Sequence, residues 1–421
     1  MIKKLTLNNG LRLVLAPLKE IQSVTILILF KVGSRYESKK LNGVSHFIEH
    51  LLFKGTKKRP TALALTKDLD NLGAEYNAFT AKDHTGFYIK VNSEKIEAAI
   101  ELLTDMLLNS LFAAEEITKE RKVIIEEINM FEDNPLLYIE DLYEKICFQG
   151  SSLAQIISGS KTNIEKISQE EILNYKNNFY QPQNLVIGLA GKINEEKIKR
   201  LISKYLKFNI KKVKLPKFSK FNNKQKAPRL LIKYKETEQV QIAMGFPALK
   251  NTDQDLMPLI LLSIILGGNM SSRLFTKIRE ERGLAYFIKS TVNTFEDTGN
   301  FFIQAGLTRE RIIEALKLIK NELKLIKEKG VTIEELNRAK EFLMGKLILK
   351  LEESHSLIQW LAEQWLLTKK IETLEEKLRK IKKVTNQDIT KIARKVINFK
   401  KLNLAIIGPY KKEADFKNLI K

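Results

Sequence analysis

The chain closes twice on the same kind of strand. NLVIGLAG ends its first half at 184–191, and LNLAIIGP ends its second at 402–409. A similar succession of elements precedes each, and this internal repetition limits the fold more than any single motif does. The first half opens with strand-like alternation in KLTLNNGLRLVLAP (4–17), turned at Asn9-Gly10, and in SVTILILFKVG (23–33). Helical spacing predicts a helix over 43–53 and another over 61–72. A strand pair, EYNAFT (75–80) and HTGFYIKVN (84–92), follows, and then helices over 94–109 and 115–130. The second half runs through strands RLLIKY (229–234) and VQIAMGF (240–246), an apolar helix LMPLILLSIIL (256–266), strands AYFIKSTVNTF (285–295) and GNFFIQAGL (299–307), and helices over 309–330 and 332–347.

Strands mixed with long helices in both halves predict an α+β fold: two homologous domains, each a mainly antiparallel sheet covered by helices. A length of 421 residues exceeds one ordinary core and fits such a division. The stretch 206–229 is lysine-rich, carries two prolines and lacks amphipathic period, so it reads as a linker. The expected domains are 1–208, which carries the candidate metal site, and 230–421, with the basic linker at 209–229. Laid over each other, the halves put Glu127 opposite Lys346, and His46 and His50 opposite Leu259 and Ser263. The second half thus keeps the scaffold and lacks the polar set of the first.

Composition narrows the partners. The net charge of +22 invites a nucleic-acid reading, but lysine and isoleucine are abundant along the whole chain and no nucleic-acid-binding motif occurs. The longest apolar run, 256–266, is too short to span a bilayer and contains Pro258 and Ser263. One cysteine, Cys147, permits no internal disulfide and rules out a cysteine-rich metal site. The N-terminal lysines are followed by no apolar segment of the secretory kind. The expectation is a cytoplasmic protein with neither nucleic acid nor membrane as partner.

The chemistry concentrates in His46-Phe47-Ile48-Glu49-His50. The protein has four histidines, at 46, 50, 84 and 355, and two fall in this pentapeptide. On a helix, positions 46, 49 and 50 share one face. Two imidazoles so spaced can hold one zinc ion, and a third protein ligand leaves a position open for water. Zinc brings the pKa of such a water toward neutrality, and a carboxylate beside it can move the proton. A solvated pair of surface histidines is the bland alternative. The flanking Phe47, Ile48, Leu51, Leu52 and Phe53 argue for burial, where polar groups need partners. His84 offers a third ligand by residue type. Glu120 and Glu127, seven apart along an apolar stripe, offer a better one, and periodicity leaves Glu126 and Glu127 both open.

HFIEHLLFKGT (46–56), with the preceding VGSRYES and NGVSH, resembles the pitrilysin/insulysin family of inverted-motif zinc metallopeptidases, which includes the mitochondrial processing peptidases. The resemblance extends through LNNGLRLVL, NAFTAKD (77–83), ERKVIIEE (120–127), NLVIGLAG, GGNMSSRLFTKIREERGLAY (267–286) and the closing IIGP. It implies one zinc per chain held by His46, His50 and Glu127, Glu49 as general base, and Glu120 as a further active-site acid. It also implies an Arg-x6-Tyr pair, Arg279 and Tyr286, whose hydrogen bonds would stabilise the charge developing on the scissile carbonyl oxygen. Asn77, Ala78, Phe79 and Thr80 would form an edge strand that pairs with an extended peptide substrate. Gly267-Gly268 is similar to a substrate-handling loop, although Gly-Gly after an apolar helix is ordinarily a helix stop. Two domains per chain, with the zinc motif and the Arg/Tyr pair both present, imply a homodimer in which one subunit completes the other's site. A non-catalytic scaffold subunit is the alternative reading.

Overall fold

The computed structural model describes residues 2–7, 10–208 and 217–420. Asn8 and Asn9 of the expected turn, and 209–216 of the expected linker, lie outside the described residues. The chain divides into two units. The first comprises Met1–Ile128, Gln155–Phe218 and Leu349–Glu372, and the second Asn129–Ala154, Ser219–Ile348 and Thr373–Lys421.

The first unit is built on strands β1 (Lys3–Thr6), β2 (Arg12–Pro17), β3 (Ser23–Phe30), β4 (Glu75–Thr80), β5 (Thr85–Asn92) and β6 (Leu185–Gly191). They lie side by side in the order β1-β2-β6-β3-β5-β4. Only β2 and β6 pair in parallel. The second unit carries β7 (Arg229–Tyr234), β8 (Gln239–Ala248), β9 (Ala285–Thr294), β10 (Gly299–Thr308) and β11 (Asn403–Gly408) in the order β7-β11-β8-β10-β9. Its single parallel pair is β7 and β11. Strand for strand, this is the order of the first sheet without β1. The α+β repeat expected from the sequence is therefore present in the sheets.

The central strands are apolar at nearly every position, so alternation puts apolar side chains on both faces. In the first unit Leu13, Leu15, Ile26, Ile28, Ile187 and Leu189 join one core with Val44, Phe47, Ile48 and Leu51. The intervening Val14, Ala16, Leu27, Leu29, Val186 and Ala190 join another with Ile358, Leu361, Ala362 and Leu366 of helix Ser354–Thr368. The second unit repeats the device. Ala243, Phe302, Ala405 and Ile407 are covered by Ile139, Leu142, Tyr143 and Ile146 of helix Pro135–Cys147.

Each sheet thus takes the cover of its second face from the other half of the sequence. The expectation of two consecutive domains, 1–208 and 230–421, differs from the structure at these segments: 129–154 belongs to the second unit and 349–372 to the first. The basic stretch differs as well. In the first unit, the ring of Phe218 lies 3.5 Å beneath the guanidinium of Arg35. In the second, the Phe221 amide donates to Asp297 (2.7 Å), and buried Gln225 donates to the carbonyls of Ala227 and Leu402. Two phenylalanines and a glutamine anchor what its lysines made look like free linker. Among the described residues no helix is long and apolar enough to cross a membrane.

Gly188 lets helix Ser354–Thr368 seat on the first sheet. A Cβ there would stand 2.5 Å from Ile358 Cγ1. Gly188→Val should overpack this contact and lower unfolding free energy by about 1–3 kcal/mol. Combined with Ile358→Ala, the loss should be smaller than the sum of the two single losses. Strictly additive losses in denaturant melts would mean that the glycine and the helix do not press on one another.

Candidate metal centre

The helix Val44–Leu51 carries His46, Glu49 and His50, and its start is fixed from outside. Gly43 takes φ +103° there, which favours glycine. The buried carboxylate of Glu37 accepts from the amides of Gly43 (2.7 Å) and Ser45 (2.8 Å) and from the Asn42 side chain (3.0 Å). It thereby satisfies amides that a helix N-terminus leaves without partners, and places negative charge at the positive end of the helix dipole. Burial pushes the Glu37 carboxyl up, against the pull of those hydrogen bonds. Val44, Phe47, Ile48 and Leu51 go into the core, so the remaining face turns toward helix Ala114–Asp133.

From that second helix Glu127 meets both histidines. Its Oε1 lies 3.6 Å from His46 Nε2 and its Oε2 lies 3.4 Å from His50 Nε2. Ligand atoms of the three residues all lie within 4.8 Å of one another, the one such group of three among the described residues. Tetrahedral zinc with bonds of about 2.0–2.1 Å to nitrogen and oxygen spaces its ligand atoms about 3.3 Å apart. The two measured separations, one to each Glu127 oxygen, lie close to that tetrahedral edge, so the donor set fits the ion. The ambiguity left by periodicity is resolved: Glu127 faces the histidines, while Glu126 is exposed.

The two histidines are not equivalent. Burial, then the neighbouring His50, bring His46 down to about 4. His50 is also opposed by burial, but hydrogen bonds to Glu120 and Glu127 outweigh it and hold it up at about 9. Two charged imidazoles 4.6 Å apart between ring centres would repel, and the one with two carboxylates is the more readily protonated. Hydrogen bonding to His50 draws the Glu127 carboxyl below its usual range. Glu120 lies buried behind this pair. Its Oε2 is 3.1 Å from His50 Nδ1 and its Oε1 is 2.6 Å from Lys54 Nζ. It therefore touches the back of a candidate ligand rather than the place where the three ligands converge.

Glu49 points to β4. Thr80 Oγ1 donates to its carboxylate at 2.5 Å. Burial raises the Glu49 carboxyl, while Thr80 and His50 draw it down. β4 is the outermost strand of its sheet, paired on one side with β5. Of the four residues expected to meet substrate, Asn77 is exposed, Ala78 is buried, and Phe79 and Thr80 are half-buried. Asn77 Oδ1 accepts from the Ala78 amide.

Arg279 and Tyr286 belong to the second unit. The Arg279 guanidinium stacks 4.6 Å from the ring centre of Phe275. Tyr286 is 74% exposed at the start of β9, the edge strand that corresponds to β4. Gly267 packs closely against this strand, since a Cβ there would meet the Ser290 amide at 2.7 Å. His84 stays away from the ligand group and pairs with Glu363 at 3.3 Å. Two contributors went unread in the sequence. Glu37 sits six residues before a helix-starting glycine, and Lys54 sits four after His50, spacings that carry little signal without the fold.

Residues 12–161 match the sequence model described as insulinase (peptidase family M16), and residues 166–343 match that of the peptidase M16 inactive domain. An uncharacterized zinc protease of Streptomyces coelicolor is 34% identical, over 97% of this chain and 90% of its own. The chain belongs to peptidase family M16. Its likeness to YmxG, an uncharacterized zinc protease of Bacillus subtilis, is also 34% identity, over 97% of this chain and 98% of that one. Its fold matches the crystal structure of a protease from Helicobacter pylori with a TM-score of 0.91, at 24% identity, over 97% of this chain and 99% of that chain. This M16 chain has its convergent ligand group inside the insulinase match. The inactive-domain match spans the strands of the second sheet up to β10.

Gly43→Ala tests whether the helix start positions the centre. A Cβ would stand 2.7 Å from both Ile164 Cδ1 and Ser158 O, at a left-handed φ. The variant should lose at least about 1–2 kcal/mol of stability and bind divalent metal more weakly than the parent. Thermal melts and metal titration, run side by side, would expose an unaffected helix start as unimportant.

Proposed function

We propose that this M16 chain is a zinc-dependent endopeptidase acting on unfolded peptides or short polypeptides. The observation that carries this reading is the meeting of His46, His50 and Glu127, with ligand atoms within 4.8 Å of one another, and Glu49 on the helix face of the two histidines. His46, His50 and Glu127 would hold one zinc ion per chain. Bound there, zinc supplies Lewis acidity to a scissile carbonyl and acidifies a water. Glu49 accepts the proton of the attacking water and delivers it to the departing amine nitrogen. Burial suits it for both steps, because a raised carboxyl pKa makes the proton easier to hold between them. Thr80 fixes the Glu49 carboxylate from the edge strand. An extended peptide added to the free side of β4 would be bound through its main chain, with loose sequence preference. Glu120 serves as a positioning residue behind His50. A single, fully buried cysteine is consistent with a cytoplasmic setting.

A non-catalytic subunit is the competing reading, favoured by the matched inactive-domain description. That match lies over 166–343, whereas His46, Glu49, His50, Glu120 and Glu127 all fall within 12–161. The purified chain should carry one zinc, measured by elemental analysis, and chelator should abolish its hydrolysis of an unfolded peptide. Glu49→Gln should retain the zinc and slow hydrolysis by roughly 10²–10⁴-fold. Glu127→Gln should lose zinc, and Glu126→Gln should not. A chain that binds no zinc, or cleaves equally well with chelator present, is not this enzyme.

Arg279 and Tyr286 complete the proposal. Their guanidinium and phenol would stabilise the scissile oxygen's developing charge from a second copy of the chain, in an enclosed homodimer. A Glu49→Gln chain and an Arg279→Ala/Tyr286→Phe chain should each be inactive alone. Mixed and allowed to exchange subunits, they should regain part of the parental activity. A mixture that exchanges yet stays inactive would rule out complementation between subunits.

A further inference from the structure

The ligand His50 is backed by a carboxylate whose two oxygens are divided. Glu120 Oε2 takes His50 Nδ1 at 3.1 Å, and Oε1 takes Lys54 Nζ at 2.6 Å. Glu120 is nearly inaccessible, with its side chain 5% exposed, and Lys54 is 28% exposed. Lys54 follows His50 by four residues and reaches the same carboxylate from the turn that ends the histidine helix. Its amide donates to the Leu51 carbonyl at 3.1 Å. The chain reverses immediately afterward at Gly55, where φ is +122° and a Cβ would meet the Pro60 carbonyl at 2.6 Å. The stem of Lys54 is therefore held where it leaves the backbone. His46 has no equivalent support: its Nδ1 is buried with no hydrogen-bond partner among the described residues. Whatever the surroundings do to orient the ligands through a second nitrogen, they do through His50.

We infer that Lys54 is a positioning residue of the metal centre, acting through Glu120 on His50. A buried carboxylate with only one oxygen hydrogen-bonded can turn and leaves its other oxygen unsatisfied. With Lys54 holding Oε1, Oε2 is kept against His50 Nδ1, which fixes the orientation of the ring and leaves Nε2 facing Glu127. Hydrogen bonding of this kind also raises the basicity of the ligating nitrogen. Without the ammonium group, Glu120 Oε1 would lose its partner, the carboxylate could turn, and the imidazole would be held more loosely.

This inference rests on the proposed zinc site, and zinc affinity itself is the readout. The full chain is stripped with chelator, and zinc is titrated against a chromogenic competitor at one fixed pH. Lys54→Met should weaken zinc by roughly 10–100-fold, the usual effect of losing an outer partner of a ligand. Lys54→Arg, which retains a cation, should restore most of the affinity. In a Glu120→Gln background the same Lys54→Met change should have little further effect. Thermal midpoints taken without zinc report folding, and Lys54→Gln serves the same comparison if the methionine variant melts early. Unchanged affinity in Lys54→Met or Lys54→Gln overturns the assignment. So does an equal loss in the presence and absence of Glu120. A parent chain that binds no zinc overturns the metal reading instead, so the two failures are distinguishable.

Discussion

A sheet whose central strands are apolar at nearly every position must be covered twice, and the rest of this molecule follows from that requirement. In the first unit one cover is the histidine helix, together with helix Ile96–Asn109. Burying Val44, Phe47, Ile48 and Leu51 leaves the helix one polar stripe, and that stripe holds His46, Glu49 and His50. The polar groups are therefore placed by the packing of their apolar neighbours. A short helix of eight residues has little stability of its own, so Glu37 and Gly43 at its start and the packing beneath it set its direction.

Charge organisation is layered on that packing. Two carboxylates seven residues apart on one helix approach the same imidazole from two sides, Glu120 at Nδ1 and Glu127 at Nε2. Glu127 is half-buried and faces both histidines, whereas Glu120 is buried and also meets Lys54. His46 and His50 end with opposite proton preferences although they share a helix face, because only one of them has carboxylates on both nitrogens.

Much of this could be read before any coordinates. The HFIEH spacing and the repeated succession of strands and helices depend on local periodicity, which a sequence displays directly, while the edge position of EYNAFT followed from the family resemblance. What could not be read depends on distance along the chain. Glu126 and Glu127 differ by 100° around a helix, and an apolar stripe broken by charge does not fix the face to that accuracy. Lys54 and Glu37 act on groups that the chain brings close only by folding back. Helices Pro135–Cys147 and Ser354–Thr368 carry ordinary amphipathic patterns, and nothing in those patterns names the sheet that each will cover. The basic stretch misled for a related reason: Phe218, Phe221 and Gln225 are sparse among lysines, yet they supply its anchoring contacts.

The exchanged helices also bear on how the protein is made. Every candidate metal ligand has been translated by residue 127, and all six strands of the first sheet by residue 191. The helix that closes the second face of that sheet runs from Ser354 to Thr368. A nascent chain thus carries its whole candidate ligand set while residues 192–353 are still being made and Val14, Leu27, Leu29 and Val186 lack their cover. The order in which the ribosome delivers the parts makes the first unit wait, after all of its strands, for a helix that follows them by more than 160 residues.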